Sequence, residues 1–291
     1  MSTSETSLYG YIPTAWIGWT FVVLFGISTV THIIQTLFIK PRLYWLLPTV
    51  VLCGIFEVTG WVARARSHKD PNSSTNFIIQ ASLIIIAPVF ITAALYTILG
   101  KIINIVGENY SRLRSNSYIK IFLGADIVSL FIQGAGGGLS ASAGTKVQTA
   151  KLGTNITLGG VIFQIVFLFF FSILAIEVAY RVSHNKPHVH AMEGGSRVDR
   201  TRPTDMFWML LGLGMSTALV FVRTIYRSIE LSKGFNGSIN RTQIWIILFD
   251  GIPMVLAMII LNAFSPTHLL KSKLSYENRV VNFRLNPRDQ P

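Results

Sequence analysis

Residues 157–180 read TLGGVIFQIVFLFFFSILAIEVAY, and a single charge, Glu177, interrupts them. At about 1.5 Å per residue such a run makes a helix of about 36 Å, longer than the roughly 30 Å hydrocarbon core of a bilayer. A second run, Ile244–Phe264, is nearly as apolar and carries only Asp250. Working outward from these two, five more stretches fit the same description: Ala15–Ile39, Tyr44–Val62, Phe77–Leu99, Ile119–Leu139 and Met206–Ile229. The span at 119–139 is the most polar of them, with Asp126, Gln133 and the run Gly134–Gly138. The reading is an all-α, polytopic membrane protein with seven transmembrane helices: an N-terminus over 1–14, a helical domain over 15–264 and a basic, mobile tail over 265–291.

Composition agrees. The 291 residues are 51% hydrophobic and 13% charged, and the mean hydropathy is +0.50. A soluble domain carries about 25% charged residues, so disorder and an ordinary water-exposed surface are both excluded. The one cysteine, Cys53, excludes a disulfide framework or a cysteine-based zinc site. Residues 1–14 hold no Lys or Arg, so a cleavable signal sequence is not expected and the first span inserts itself.

Basic residues set the expected orientation. Of the 25 Lys and Arg, sixteen lie in the odd-numbered loops and the tail and seven in the even-numbered loops, while Arg223 and Arg227 lie inside span six. The N-terminus is therefore expected outside and the C-terminus in the cytosol. Glycosylation patterns at Asn72, Asn155, Asn236 and Asn240 fall on the expected outer side, and one at Asn109 falls inside. The basic excess is then an inward fringe suited to anionic lipids. No nucleic-acid partner is called for, because no aromatic-basic motif accompanies the charge.

Polar residues within the spans carry the functional information, because charge in hydrocarbon is disfavoured unless paired or facing a cavity. They recur at steps of three and four, which place them on one helix face. Span one holds Ser28, His32 and Gln35. Span two holds Glu57, Trp61 and Arg64. Span three holds Gln80, Pro88, Thr92 and Tyr96, and Pro88 is expected to bend the helix and free a carbonyl. Span four holds Asp126, Ser129 and Gln133, span six holds Arg223, Tyr226, Arg227 and Glu230, and span seven holds Asp250 followed by Pro253.

With the expected orientation, Glu57, Gln80, Gln133, Arg223, Arg227, Glu230 and Asp250 sit in the outer half, and His32, Tyr96 and Asp126 in the inner half. Glu57 or Asp250 is expected to pair with Arg223 and to line a polar pocket open toward the outer leaflet. Buried ion pairs can also serve only to fix helix register. Gln80, Gln133 and Tyr96 suit helix–helix hydrogen bonds. Trp61 suits either an interfacial anchor or a ligand contact.

Other chemistry finds little support. The glycine run 134–138 reads as close helix packing rather than a phosphate cradle. His184, His188 and His190 read as solvated loop residues. There is no G-x-x-x-x-G-K-[ST], no H-E-x-x-H and no Ser/His/Asp constellation, so no cofactor is expected.

Taken in order, the motifs resemble the fungal lipid-translocating exporter family, the RTA-like proteins. They are Tyr11-Ile-Pro13, Phe25-Gly26 to His32, Gly54 through Glu57 and Gly60-Trp61 to Arg64, Gln80 with Ala87-Pro88 through Tyr96, Gly124-Ala-Asp126 with Ser129, Gln133 and Gly136–Gly138, Arg223 through Glu230, and Phe249-Asp250 with Pro253. The resemblance spans roughly 8–270. Departures are Gln243 where an acid is usual, Ser265-Pro266-Thr267-His268 in place of His-Pro, and Trp61 in place of Tyr.

The resemblance implies a multi-pass protein of the fungal plasma membrane without its own ATPase, linked to sphingoid bases, sterol-like compounds or porphyrins. On that reading the bound partner is an amphipathic lipid, and its amine head suits Glu57, Asp250 or Asp126. A seven-helix lipid or stress receptor is an alternative. So is a membrane-embedded lipid hydrolase built on His32, Asp126 and Ser129.

Overall fold

The computed structural model describes residues 9–40, 42–144, 146–184, 186, 203–232 and 242–264. Seven helices in it are long and apolar enough to cross a membrane: α1 (Ala15–Leu37), α2 (Tyr44–Arg66), α3 (Ser74–Val106), α4 (Ser115–Ser142), α5 (Val147–Ser183), α6 (Met206–Ser232) and α7 (Gln243–Ala263). All seven expected spans are present. Several helices outrun their apolar windows, because backbone hydrogen bonding continues into polar sequence where side-chain hydropathy no longer signals it. Thus α3 runs past Leu99 through Lys101 and Asn104, and α5 begins at Val147, which places Asn155 on a helix rather than in a loop. His188, His190, Asn236, Asn240, the segment Ser265–His268 and the tail beyond it lie outside the described residues.

Each helix packs against its chain neighbour, and α7 closes back on α1. Helix α3 also reaches α5 and α6, so its apolar residues Ile84, Ile91, Leu95, Leu99 and Ile102 are almost fully buried. The outward faces show the reverse. On α5, Phe169, Phe170, Ile173 and Ile176 are exposed, as are Val23, Ile27, Val30 and Ile34 on α1. Faces this apolar are stable against lipid tails and not against water. Glu177, the lone charge of the decisive span, meets Arg112 at 2.7 Å and Arg181 at 2.8 Å.

Two local devices shape the bundle. Pro88 lies inside α3, and the helix continues through it. Because proline has no N–H, the carbonyl four residues back, that of Ile84, loses its helical partner. In addition, α2, α4 and α7 each contain a π-helical turn, at Leu47–Val51, Ile119–Leu123 and Ile247–Gly251. Such wide turns shift the side-chain register and cluster at functional sites.

The glycine run acts in packing, though through few of its members. A Cβ on Gly136 would meet the Thr157 backbone nitrogen at 2.5 Å, and one on Gly153 would meet the Gly136 carbonyl at 2.6 Å, whereas Gly134, Gly137 and Gly138 face open space. Between α4 and α5 the backbones therefore touch. Gly136→Ala or Gly153→Ala is expected to destabilise by about 1–3 kcal/mol, the range for overpacking, while Gly137→Ala leaves the melting temperature in detergent unchanged or raised. Equal behaviour of the three variants in thermal unfolding would contradict this seam.

Candidate functional site

Asp250 sits in the π-helical turn of α7, three residues before Pro253, and its side chain is 2% exposed. The wide turn aims its carboxylate at α6. There Arg223 and Arg227, one turn apart, both reach it. Arg223 Nε lies 2.8 Å from Asp250 Oδ1. Arg227 donates from Nε to Oδ1 at 3.1 Å and from Nη2 to Oδ2 at 2.8 Å. The remaining Nη1 of Arg227 donates to Glu230 Oε2 at 2.9 Å. Arg223 uses Nη2 to donate to the Ile84 carbonyl, the one released by Pro88. The proline of α3 thus supplies an acceptor to a guanidinium of α6, which explains the freed carbonyl anticipated from the sequence.

Glu57 completes the group from α2. It is 1% exposed, and its Oε1 has no hydrogen-bond partner. Its charge is felt by Arg223, Asp250 and Arg227, yet no ion pair with any of them forms. Trp61 Nε1, one turn along, approaches the carboxyl without meeting hydrogen-bond geometry. Three acids therefore share a buried site with two arginines. Gln80, one turn before Ile84, adds a second acceptor oxygen without a donor.

The segment before α1 forms a strap against the end of α2 and the starts of α3 and α7. Tyr9 shares a 3.0 Å hydrogen bond with Ser67 and packs edge-on against Phe77. His68 Nδ1 meets the Pro13 carbonyl at 2.9 Å. Thr14 donates from its backbone nitrogen and its hydroxyl to Gln243 Oε1 at 3.1 and 3.0 Å. Position 243 needs an acceptor oxygen, which glutamine supplies as an acid would. Arg64, at the end of α2, donates to the Tyr11 hydroxyl and lies within 5.8 Å of the rings of Tyr9, Tyr11 and Trp61.

The structure sorts these expectations. The polar pocket is shut rather than open: Glu57, Arg223 and Asp250 are all buried. Of the two acids named as alternatives for pairing with Arg223, Asp250 forms the ion pair. Trp61 is no interfacial anchor; it is 0% exposed and stacks on Phe21 at 4.1 Å. Gln133, a residue suited to helix–helix hydrogen bonds, makes one in the α4–α5 seam, donating to Gln164 at 3.2 Å and to Ser129 of its own helix at 2.7 Å, and so stands outside the cluster. Asp126 accepts from Thr92 and Tyr96 of α3. His32 Nε2 lies 3.2 Å from the Met258 carbonyl of α7. The side chains required for a hydrolase thus point to different helix pairs. Sequence reasoning placed Arg64 and Tyr226 on the polar faces without assigning them to the site, and it gave Tyr9 of the strap no role. The signal for Arg64 was its spacing of seven from Glu57, two turns along the same face.

Removing one partner from a buried ion pair strands the other charge and costs about 3–5 kcal/mol. Asp250→Asn leaves Arg223 without a carboxylate and Arg227 with Glu230 alone, and is expected to lose stability of that order. Glu57→Gln removes a carboxylate without an ion-pair partner and is expected to unfold at the same or a higher temperature. Thermal unfolding of the purified variants in detergent measures both, and the reverse ranking would contradict the assigned pairing.

Comparison with known proteins places these residues in context. A family model described as RTA1 like protein matches residues 50–273, which include Glu57, Gln80, Arg223, Arg227, Glu230 and Asp250. The sphingoid long-chain base transporter RSB1 of Saccharomyces cerevisiae is 28% identical over 296 residues, covering 94% of this chain and 77% of the relative. Protoporphyrin uptake protein 1 of the same yeast is 29% identical over 297 residues, covering 89% and 92%. Protein RTM1, also from that yeast, is 31% identical over 208 residues, covering 71% and 62%. No solved structure matches. The match over most of the chain shows that this multi-pass membrane protein belongs to the RTA1-like protein family.

Proposed function

We propose that the protein is a transporter, rather than an enzyme, that moves amphipathic lipids with a cationic amine head, of the sphingoid-base type, across the plasma membrane. The observation that carries this reading is Glu57: a buried carboxyl oxygen without a donor, beside a network in which two arginines already serve Asp250 and Glu230. An ammonium head supplies the missing positive charge and the missing N–H. Arg223 and Arg227 hold the acids in place, and the tail stays among the lipid-facing apolar side chains. With the N-terminus outside, as the basic residues suggest, the cluster lies toward the outer leaflet. Release there requires the strap of residues 9–14, pinned by Tyr11 and Arg64, to lift.

The names of two relatives, one a sphingoid-base transporter and one a protoporphyrin uptake protein, support amphipathic cargo. Their head groups differ in sign. A porphyrin carboxylate would address the arginines and an amine would address Glu57, so one substitution separates them. A charge contact worth about 1.4 kcal/mol corresponds to tenfold in an equilibrium. In vesicles reconstituted with the full chain, Glu57→Gln is therefore expected to slow movement of a labelled sphingoid base by about tenfold or more. Unaltered movement in a well-folded Glu57→Gln protein would overturn the assignment of the head-group site.

A further inference from the structure

Asp126 lies apart from the ion-pair cluster and is 0% exposed. Thr92 and Tyr96, one turn apart on α3, reach the same oxygen, Oδ2, at 2.6 and 2.9 Å, while Oδ1 has no partner. The ring of Tyr96 is walled in by Phe122 of α4 and Phe171 of α5. Tyr96 is the one titratable group facing the carboxyl from α3, and among the described residues no Lys, Arg or His from α3, α4, α5 or α6 pairs with it. The contrast with Asp250, which two guanidiniums serve, is complete.

Counting hydrogens indicates what the pocket is built to hold. Thr92 has one hydroxyl hydrogen and two acceptors in reach, Asp126 Oδ2 and the Val89 carbonyl at 2.9 Å. A helical threonine commonly gives that hydrogen to its own preceding turn. The single hydroxyl hydrogen is then shared between the two acceptors, so Asp126 Oδ2 has one undivided donor, Tyr96, and Oδ1 has none. An ionised Asp126 would leave one oxygen bare with no cation nearby, an arrangement strongly disfavoured in hydrocarbon.

Access and movement have structural counterparts. The π-helical turn Ile119–Leu123 lies just before Asp126, a place where α4 can change register. Beyond it Ser129, Gln133 and Ser140 continue a hydrogen-bonded polar seam with α5 toward the end of the bundle that carries the N-terminus.

We propose that Asp126 is a proton-binding site that alternates between carboxylic acid and carboxylate during the transport cycle, coupling lipid movement to a proton gradient. The inference rests on the transport reading above and supplies its energy source. An O–H bond forms at Asp126 when a proton arrives from one side and breaks when it departs to the other. No electrons are exchanged, and no co-reactant other than the proton is needed.

Two measurements test it. Infrared spectra of the purified full chain at neutral pH are expected to show a carboxylic-acid carbonyl band that is absent from Asp126→Asn and displaced in Asp126→Glu. A band that persists unchanged in Asp126→Asn, or no such band in the unaltered protein, overturns the proposal. In vesicles containing a fluorescently labelled sphingosine, a one-unit pH gradient can support up to about tenfold accumulation for one proton per lipid. The unaltered chain and Asp126→Glu are expected to respond to the gradient, and Asp126→Asn to move the probe at one rate with or without it. A gradient response in Asp126→Asn, or accumulation driven by sodium instead of protons, also overturns the proposal. If the unaltered chain moves no probe under any condition, the transport reading falls, while the infrared band still decides the proton site.

Discussion

One carboxylate shared by two guanidinium groups organises this bundle. Asp250 lies where water does not screen charge, and a lone ion there would be strongly disfavoured. Arg223 and Arg227 offset that by approaching both of its oxygens. The arrangement fixes α6 against α7. Through the Ile84 carbonyl it also fixes α6 against α3. Two local devices serve it: the π-helical turn that aims Asp250 and the proline that frees the carbonyl.

The same network explains why Glu57 differs from its neighbours. The two arginines are occupied by Asp250, Glu230 and the Ile84 carbonyl, so Glu57 is held within range of positive charge without a direct partner. Such a group is costly as structure and useful as a binding element, because a ligand that brings a positive head relieves it. Asp126 presents a second solution to the same electrostatic difficulty. Its neighbours are hydroxyls and aromatic rings, which suit a neutral acid and not a salt bridge.

Much of this was legible from residue order. Periodic polar positions placed Glu57 with Arg64 and Arg223 with Arg227 on single faces, and the structure keeps those pairings of position. It was not possible to tell which faces meet. Gln133 and Glu57 look alike in sequence, each a polar residue in an apolar span. One is absorbed by a neighbouring glutamine and serine, while the other keeps a buried carboxyl oxygen, Oε1, without a hydrogen-bond partner. Trp61 suited either a membrane interface or a ligand contact, and the close approach of Phe21 and Arg64 buries it away from any interface.

The amino-acid sequence alone determined the seven spans, because the bilayer imposes a length and a hydropathy that each helix must satisfy by itself. It also determined which face of each helix is polar, since that depends only on the 3.6-residue period. Tertiary structure decided the partners. A hydrogen bond or ion pair between helices depends on their rotation, depth and closest approach, and these are set by contacts such as Gly136 with Thr157 and Gly251 with Phe21. No single helix encodes those distances, so only the packed bundle distinguishes a satisfied charge from one left waiting for a ligand.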